Sequence, residues 1–210
     1  MNWLSALPLV LAAVGSVISP CFGDGPGPPG YRPASDRAGT FLKGVGKTSI
    51  AVFPTVVRSK AGTSYDRTSQ GKIVRFIEDN RLAHAVSSER DLNPGELQGR
   101  FQWDVFQSGM GALGKQIVKE KPQSDYVLIV EVLITPTRSK GLAVGGIHCY
   151  LLDREGVNAF SFLLNSHHRM FQDAALKTPD GSAKGEGELK SEAVRTALKA
   201  FKQQVAEARK

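Results

Sequence analysis

The densest apolar run in the body of the chain is Tyr126-Val127-Leu128-Ile129-Val130, resumed after Glu131 by Val132-Leu133-Ile134. A β-branched and aliphatic run without alternation predicts a strand over 126–135 that is covered on both faces. The period changes on either side of it. Phe106, Met110, Leu113 and Ile117 recur at helical steps and predict an amphipathic helix over 101–119. Gly109, Gly111 and Gly114 each cost that helix about 1 kcal/mol against Ala, which implies a close approach to a sheet. Ile73, Val74, Phe76 and Ile77 predict a helix over 64–80, with Thr63 or Ser64 as its N-cap. Val194, Ala197, Leu198, Phe201 and Val205 predict a long helix over 187–209. A first strand is expected over 48–57, populated on both faces and ended or bulged at Pro54. A second is expected over 82–88. Residues 144–152 and 157–165 predict a hairpin around Asp153-Arg154-Glu155-Gly156, a type I turn pattern. The order β-α-β-α-β-β-β-α predicts one α/β domain over 48–210 with a mixed sheet.

The N-terminal pattern is of another kind. Residues 1–23 contain no Lys, Arg, Asp or Glu and are mostly apolar from Trp3 to Ile18. That core falls short of the roughly 20 residues of a bilayer span. It fits the apolar region of a secretory signal, with cleavage expected after Gly23. Ile18-Ser19-Pro20-Cys21 resembles a lipoprotein signal, which makes Cys21 a candidate for lipidation, although Pro20 departs from the small residue that pattern wants. An uncleaved anchor and a buried N-terminal helix are the alternatives. Residues 24–47, rich in Pro and Gly, read as a linker. The expected destination is periplasmic, outer-membrane associated or extracellular, with membrane attachment through Cys21 or the N-terminal segment.

Composition narrows the classes. With 41% hydrophobic and 22% charged residues, the chain is neither a multi-span membrane protein nor a disordered one. Two cysteines exclude a disulfide-dense scaffold and a four-thiolate zinc site. The formal net charge is +7, yet no basic stripe and no Arg–aromatic interleaving stand out, so nucleic acid is not expected as a partner. Outside the cytoplasm, a mildly basic surface would favour anionic lipid or polymer.

Few residues invite chemistry. Gly44-Val45-Gly46-Lys47-Thr48 hints at a phosphate loop, but position 41 is Phe, and a strand rather than a helix is expected to follow. His148, Cys149, His167 and His168 hint at a metal. On a strand, His148 and Cys149 point to opposite faces, and His167 lies too far along to share an ion. Cys149 reads as a small buried hydrophobe. Glu131 interrupts the best strand. Buried, it needs a partner or a raised pKa, and the expectation is that it sits at a strand end or opens onto solvent. His84 reads as structural. No catalytic residue, cofactor or metal is assigned.

The strand-edge segments carry a resemblance. They are Ser49-Ile50-Ala51-Val52-Phe53-Pro54, Ala85-Val86-Ser87-Ser88-Glu89-Arg90, Ser124-Asp125-Tyr126-Val127-Leu128-Ile129-Val130-Glu131-Val132 and Tyr150-Leu151-Leu152-Asp153-Arg154-Glu155-Gly156. Together they resemble a bacterial envelope group. It comprises the curli-export lipoprotein, the lipoprotein activator of penicillin-binding proteins, and the amino-terminal domain of the Tol-system propeller protein. The resemblance spans roughly residues 48–165. It implies an anticodon-binding-like α/β fold used outside the cytoplasm for protein contacts, without catalytic residues. An exported, non-catalytic protein-binding or assembly module is the leading expectation, its partner an envelope protein or a second copy. The alternatives are an envelope enzyme resting on Glu131 and His148, and a binder of anionic polymer or nucleic acid. Residues 166–185 lack periodicity but hold apolar side chains. Met170 and Phe171, with Arg169 at the rim, are therefore the expected partner contact.

Overall fold

A computed structural model describes residues 36–96, 102–138, 140–178 and 185–209. In chain order they form α1 (Asp36–Gly44), β1 (Ser49–Val52), β2 (Thr55–Ser59), β3 (Gly62–Asp66), α2 (Arg67–Asp79) and β4 (His84–Ser87). There follow α3 (Gln102–Glu120), β5 (Tyr126–Pro136), β6 (Leu142–Asp153), β7 (Phe162–Leu164), α4 (Arg169–Gln172) and α5 (Gly185–Ala208). The architecture is the expected mixed α/β domain.

The apolar run of β5 is the axis of one sheet. β6 lies antiparallel along one edge of it, from Tyr126 opposite Asp153 to Pro136 opposite Leu142. The other edge is shared. β1 pairs in parallel with Tyr126–Leu128, and β2 pairs in parallel with Glu131–Leu133. Phe53 and Pro54 lie between the two short strands, where the missing N–H of proline interrupts the ladder. β4 extends the sheet beyond β1, β3 beyond β2, and β7 beyond β6.

Helices cover both faces, which is why β5 lacks alternation. On one face Leu128, Val130 and Val132 pack with Ile73 and Ile77 of α2 and with Val194, Leu198 and Phe201 of α5. On the other, Val127 and Ile129 pack with Phe106, Leu113 and Ile117 of α3. The close approach expected of the α3 glycines is real at two of them. A Cβ on Gly109 would stand 2.5 Å from Tyr150 Oη, and one on Gly114 would stand 2.5 Å from the Gly156 carbonyl oxygen. The turn pattern also holds, since Gly156 N–H donates to Asp153 O at 2.9 Å. Asp153 Oδ1 accepts from the N–H groups of Glu155 and Val157.

Four expectations need correction. The linker read over 24–47 ends sooner, because α1 is helical and docked. Its Phe41 is fully buried, 5.2 Å from Tyr126, 5.6 Å from Phe160 and 6.2 Å from Phe201 between ring centroids. One aromatic anchor has no period, so the pattern could not show it. The domain therefore begins at least as early as Asp36, while residues 1–35, including Cys21, lie outside the described residues. Second, β2 and β3 form a hairpin turned by Lys60 and Ala61, where a strand end and a helix start were expected. The N-cap of α2 is consequently Asp66, whose carboxylate accepts from the N–H groups of Thr68 and Ser69. Third, the strand expected over 157–165 is regular only at Phe162–Leu164. Fourth, the supposed loop over 166–185 contains α4 and then returns along β6. Val144 N–H donates to Leu176 O, and Thr178 N–H donates to Leu142 O, both at 2.9 Å.

Candidate functional site

Alternation along β5 sends Val127, Ile129 and Glu131 to the α3 face. Cross-strand register then assembles the rest. His148 on β6 lies directly opposite Glu131, with Tyr150 two residues along. Val56 on β2 lies beside Glu131, with Arg58 two residues along on the same face. Three strands thus deliver four polar side chains to one spot beneath the N-terminal half of α3.

Their bonds converge on the carboxylate. Arg58 Nε donates to Glu131 Oε1 in a close ion pair. His148 Nδ1 lies 2.7 Å from Oε2, and Tyr150 Oη donates to the same oxygen at 3.0 Å. Tyr150 Oη is also 3.1 Å from His148 Nδ1, and Arg58 Nη2 reaches Asn93 Oδ1 at 3.4 Å. The Phe106 ring roofs the group, stacked on Tyr150 at 5.1 Å and edge-on to His148 at 5.5 Å. Exposure is 1% at Glu131, 0% at His148 and Tyr150, and 8% at Arg58.

The expectation that Glu131 opens onto solvent is thereby overturned. Burial taken alone would raise its pKa. The hydrogen bond and charge of His148, and then Arg58, outweigh burial and hold it below the usual glutamate value. Burial, together with the neighbouring Glu131 carboxylate, pushes the Tyr150 phenol well above its ordinary range. His148 Nε2 has no partner among the described residues. General acid–base chemistry needs a reacting atom within hydrogen-bond reach of the acid or base. Here the carboxylate is enclosed by its own donors and an aromatic roof. The group can fix strand register and helix position, in the way a buried polar residue specifies one arrangement.

The other sequence-derived candidates fall elsewhere. Cys149 points to the opposite face from His148 and is 2% exposed, with its thiol pKa pushed far up by burial. His167 is exposed and His168 half-buried, and among the described residues no group of three or more His, Cys, Asp or Glu could hold a metal. Gly44–Thr48 links a helix to a following strand, the reverse of a phosphate loop. The expected partner contact also gives way. Phe171 is 8% exposed within the core, Met170 packs against that core, and Arg169 pairs with Asp173 on the surface. α4 is the short helix that docks these apolar side chains on their own domain.

A shallow depression of about 220 Å³ lies at the other end of β5, lined by Arg37, Asp125, Tyr126, Asp153, Arg154 and Glu155. Its charges are largely engaged. Arg37 bonds Asp153 and Glu155. Asp125 Oδ2 accepts from Ser49 N–H and Oγ–H, both at 2.9 Å, which hold its pKa low. The strand-edge motif residues thus lock α1, β1 and the turn after β6 together.

No protein-family model matches the chain, and no curated protein matches it. Among solved structures it is similar to the PelC dodecamer from Paraburkholderia phytofirmans. In one crystal form the identity is 14% over 74% of this chain and 87% of that chain, with a TM-score of 0.37. A single-substitution variant of the same dodecamer gives 13% identity over 73% and 85%, with a TM-score of 0.34.

Proposed function

We propose that this protein is an exported, non-catalytic binding or assembly module of the bacterial cell envelope. The observation that carries the reading is a contrast within the sheet. Its ionisable cluster is closed in upon itself, whereas its β4 edge faces outward. β4 pairs with β1 on one side, and its His84, Val86 and Ser87 are exposed, Val86 at 41%. An edge strand offers backbone groups to an added strand. Glu78 covers part of this one by accepting the Ala85 N–H at 2.7 Å, a guard against indiscriminate pairing. The uncharged apolar leader and the strand-edge resemblance support the envelope location.

The test has two readouts. N-terminal sequencing of the exported chain should begin near Asp24, or find a lipid-modified Cys21. An intact Met1 terminus confined to the cytosol overturns export. A photo-crosslinking residue at position 86 should trap a discrete species, an envelope protein or a second copy, while one at buried position 129 should not. Equal trapping at both positions, or none at 86, removes the β4 edge as the contact.

A further inference from the structure

The parallel strands begin together, Ser49 beside His84 and Ile50 beside Tyr126. Helices α1, α2 and α3 each end just before one of these strands. α5 starts at the far end, where Lys190 meets Asp66 and Lys72 meets Ser191, and its Phe201 reaches Phe41 of α1. The turn after β6 is here too, since Asp153 lies opposite Tyr126. Four helix C-termini therefore gather at one pole of the domain.

That pole carries charge that the linear sequence scatters. Lys43, Lys47, Arg81, Lys119, Lys121 and Lys202 are all exposed there. None of the six forms an ion pair among the described residues. Of the carboxylates nearby, Asp153 and Glu155 pair with Arg37 and Glu120 with Arg90, while Asp125 and Glu78 accept from the neutral donors of Ser49 and Ala85. Asp79 is exposed, and Glu207 in the last turn of α5 accepts from Gln203, so the six cations face four carboxylates that have no Arg or Lys partner among the described residues. Apolar tips stand among the cations. Val118 is 53% exposed and Val157 43%. They flank the same contact, Gly114 of α3 against Gly156 of the turn. The first 35 residues join the domain through α1, whose Arg37 is tied to this pole.

We propose that this pole rests on an anionic lipid surface. Exposed cations interspersed with apolar tips are the chemistry of an interfacial contact. The apolar N-terminal segment would bring the same pole to the membrane it enters or is anchored in. The inference rests on the envelope reading for which membrane is met, but the assay below does not depend on where the chain is sent. Cations also suit helix C-termini electrostatically, so the test must separate binding from stability.

The full chain is mixed with vesicles of phosphatidylcholine, with or without one-third phosphatidylglycerol, at low and high salt. Apolar insertion of the N-terminal segment contributes to both vesicle types, so the ratio reads the charge-dependent part. Each cation near such a surface is worth about fivefold in partitioning. The expected result is preference for the anionic vesicles by about tenfold or more, weakened by salt. Lys43→Gln/Lys47→Gln/Lys119→Gln/Lys121→Gln should abolish the preference and leave the thermal midpoint nearly unchanged. Lys60→Gln/Arg138→Gln/Lys140→Gln/Lys177→Gln removes equal charge at the opposite end and should keep most of it. Equal loss in both variants overturns the proposal in favour of diffuse net charge. Retained preference with a lowered midpoint in the pole variant assigns the cations to the helix ends. Retention on immobilised heparin at salt that already releases the vesicles replaces lipid by a polyanion. Failure of export would appear only in the N-terminal sequencing, so the two readings fail separately.

Discussion

Toward α1, α2 and α5, strands β5 and β6 present Leu128, Val130, Val132, Ile147, Cys149 and Leu151. Toward α3, the same two strands present Val127, Ile129 and Leu152, but also Glu131, His148 and Tyr150. The first face is held by shape, and any loss there is a loss of packed volume. The second is held partly by a count of partners, and removing one member leaves the others buried and unsatisfied. Mutations of similar size should therefore act differently on the two faces.

The largest effect is expected at Glu131. Glu131→Ala strips Arg58, His148 and Tyr150 of their common acceptor and should cost about 3–5 kcal/mol in urea unfolding. Replacing Arg58, Glu131, His148 and Tyr150 together by Met, Leu, Leu and Phe removes every member of the cluster and should recover most of that loss. If the single and the quadruple variant are equally unstable, the polar face is held by shape after all. On the dry face, Phe171→Ala should cost about 3 kcal/mol. An unchanged unfolding midpoint would return Phe171 to the surface.

Helix α3 supplies an internal comparison. Gly114→Ala places a methyl against the Gly156 carbonyl and should destabilise by about 1–3 kcal/mol. Gly111 has nothing within 4 Å of the added carbon, so Gly111→Ala should stabilise by up to about 1 kcal/mol. Effects of one sign at both positions would break the close-approach account.

Acid should act on the polar face. Glu131 is held below its ordinary pKa, so the folded state favours the ionised form. The unfolded chain takes up the proton first as pH falls. The stabilisation is thus complete above the ordinary glutamate range and is lost as pH drops through the folded value. Thermal midpoints measured downward through that range should fall more steeply for the native chain than for Glu131→Gln, and parallel curves would contradict this. The smallest readout is chemical. In a Cys21→Ser background, a thiol reagent should label Cys149 only after denaturant is added. Rapid native labelling would show the dry face to be open.

The elements that could be read from the sequence are those whose burial repeats. The β5 run, the α3 stripe at Phe106, Leu113 and Ile117, and the α5 stripe at Val194, Ala197, Leu198, Phe201 and Val205 all face the core. α1 escaped because Phe41 is its one large fully buried side chain. The β2–β3 hairpin escaped because β3, Gly62–Asp66, is a partly exposed polar edge with no hydrophobic alternation. Glu131 stood out in the sequence as an anomaly. Its meaning did not, because Arg58 is 73 residues away and His148 17, and only cross-strand register joins them. The basic pole was hidden for the same reason, since its six cations come from four separate stretches of chain.

The position of β5 also bears on the order of synthesis. Until Tyr126–Pro136 has been made, β1 and β2 lack their common neighbour, and the bond from Ser49 to Asp125 must wait for a partner 76 residues later. A nascent chain shorter than this holds the β2–β3 hairpin and the β1–β4 pair with α2 across it, but not the strand that joins the two pieces into one sheet. Distant pairing of this kind slows folding. A ribosome-bound or newly released chain thus stays extended for longer. A circular permutant opening at Tyr126 would make the axial strand first and close its sheet sooner.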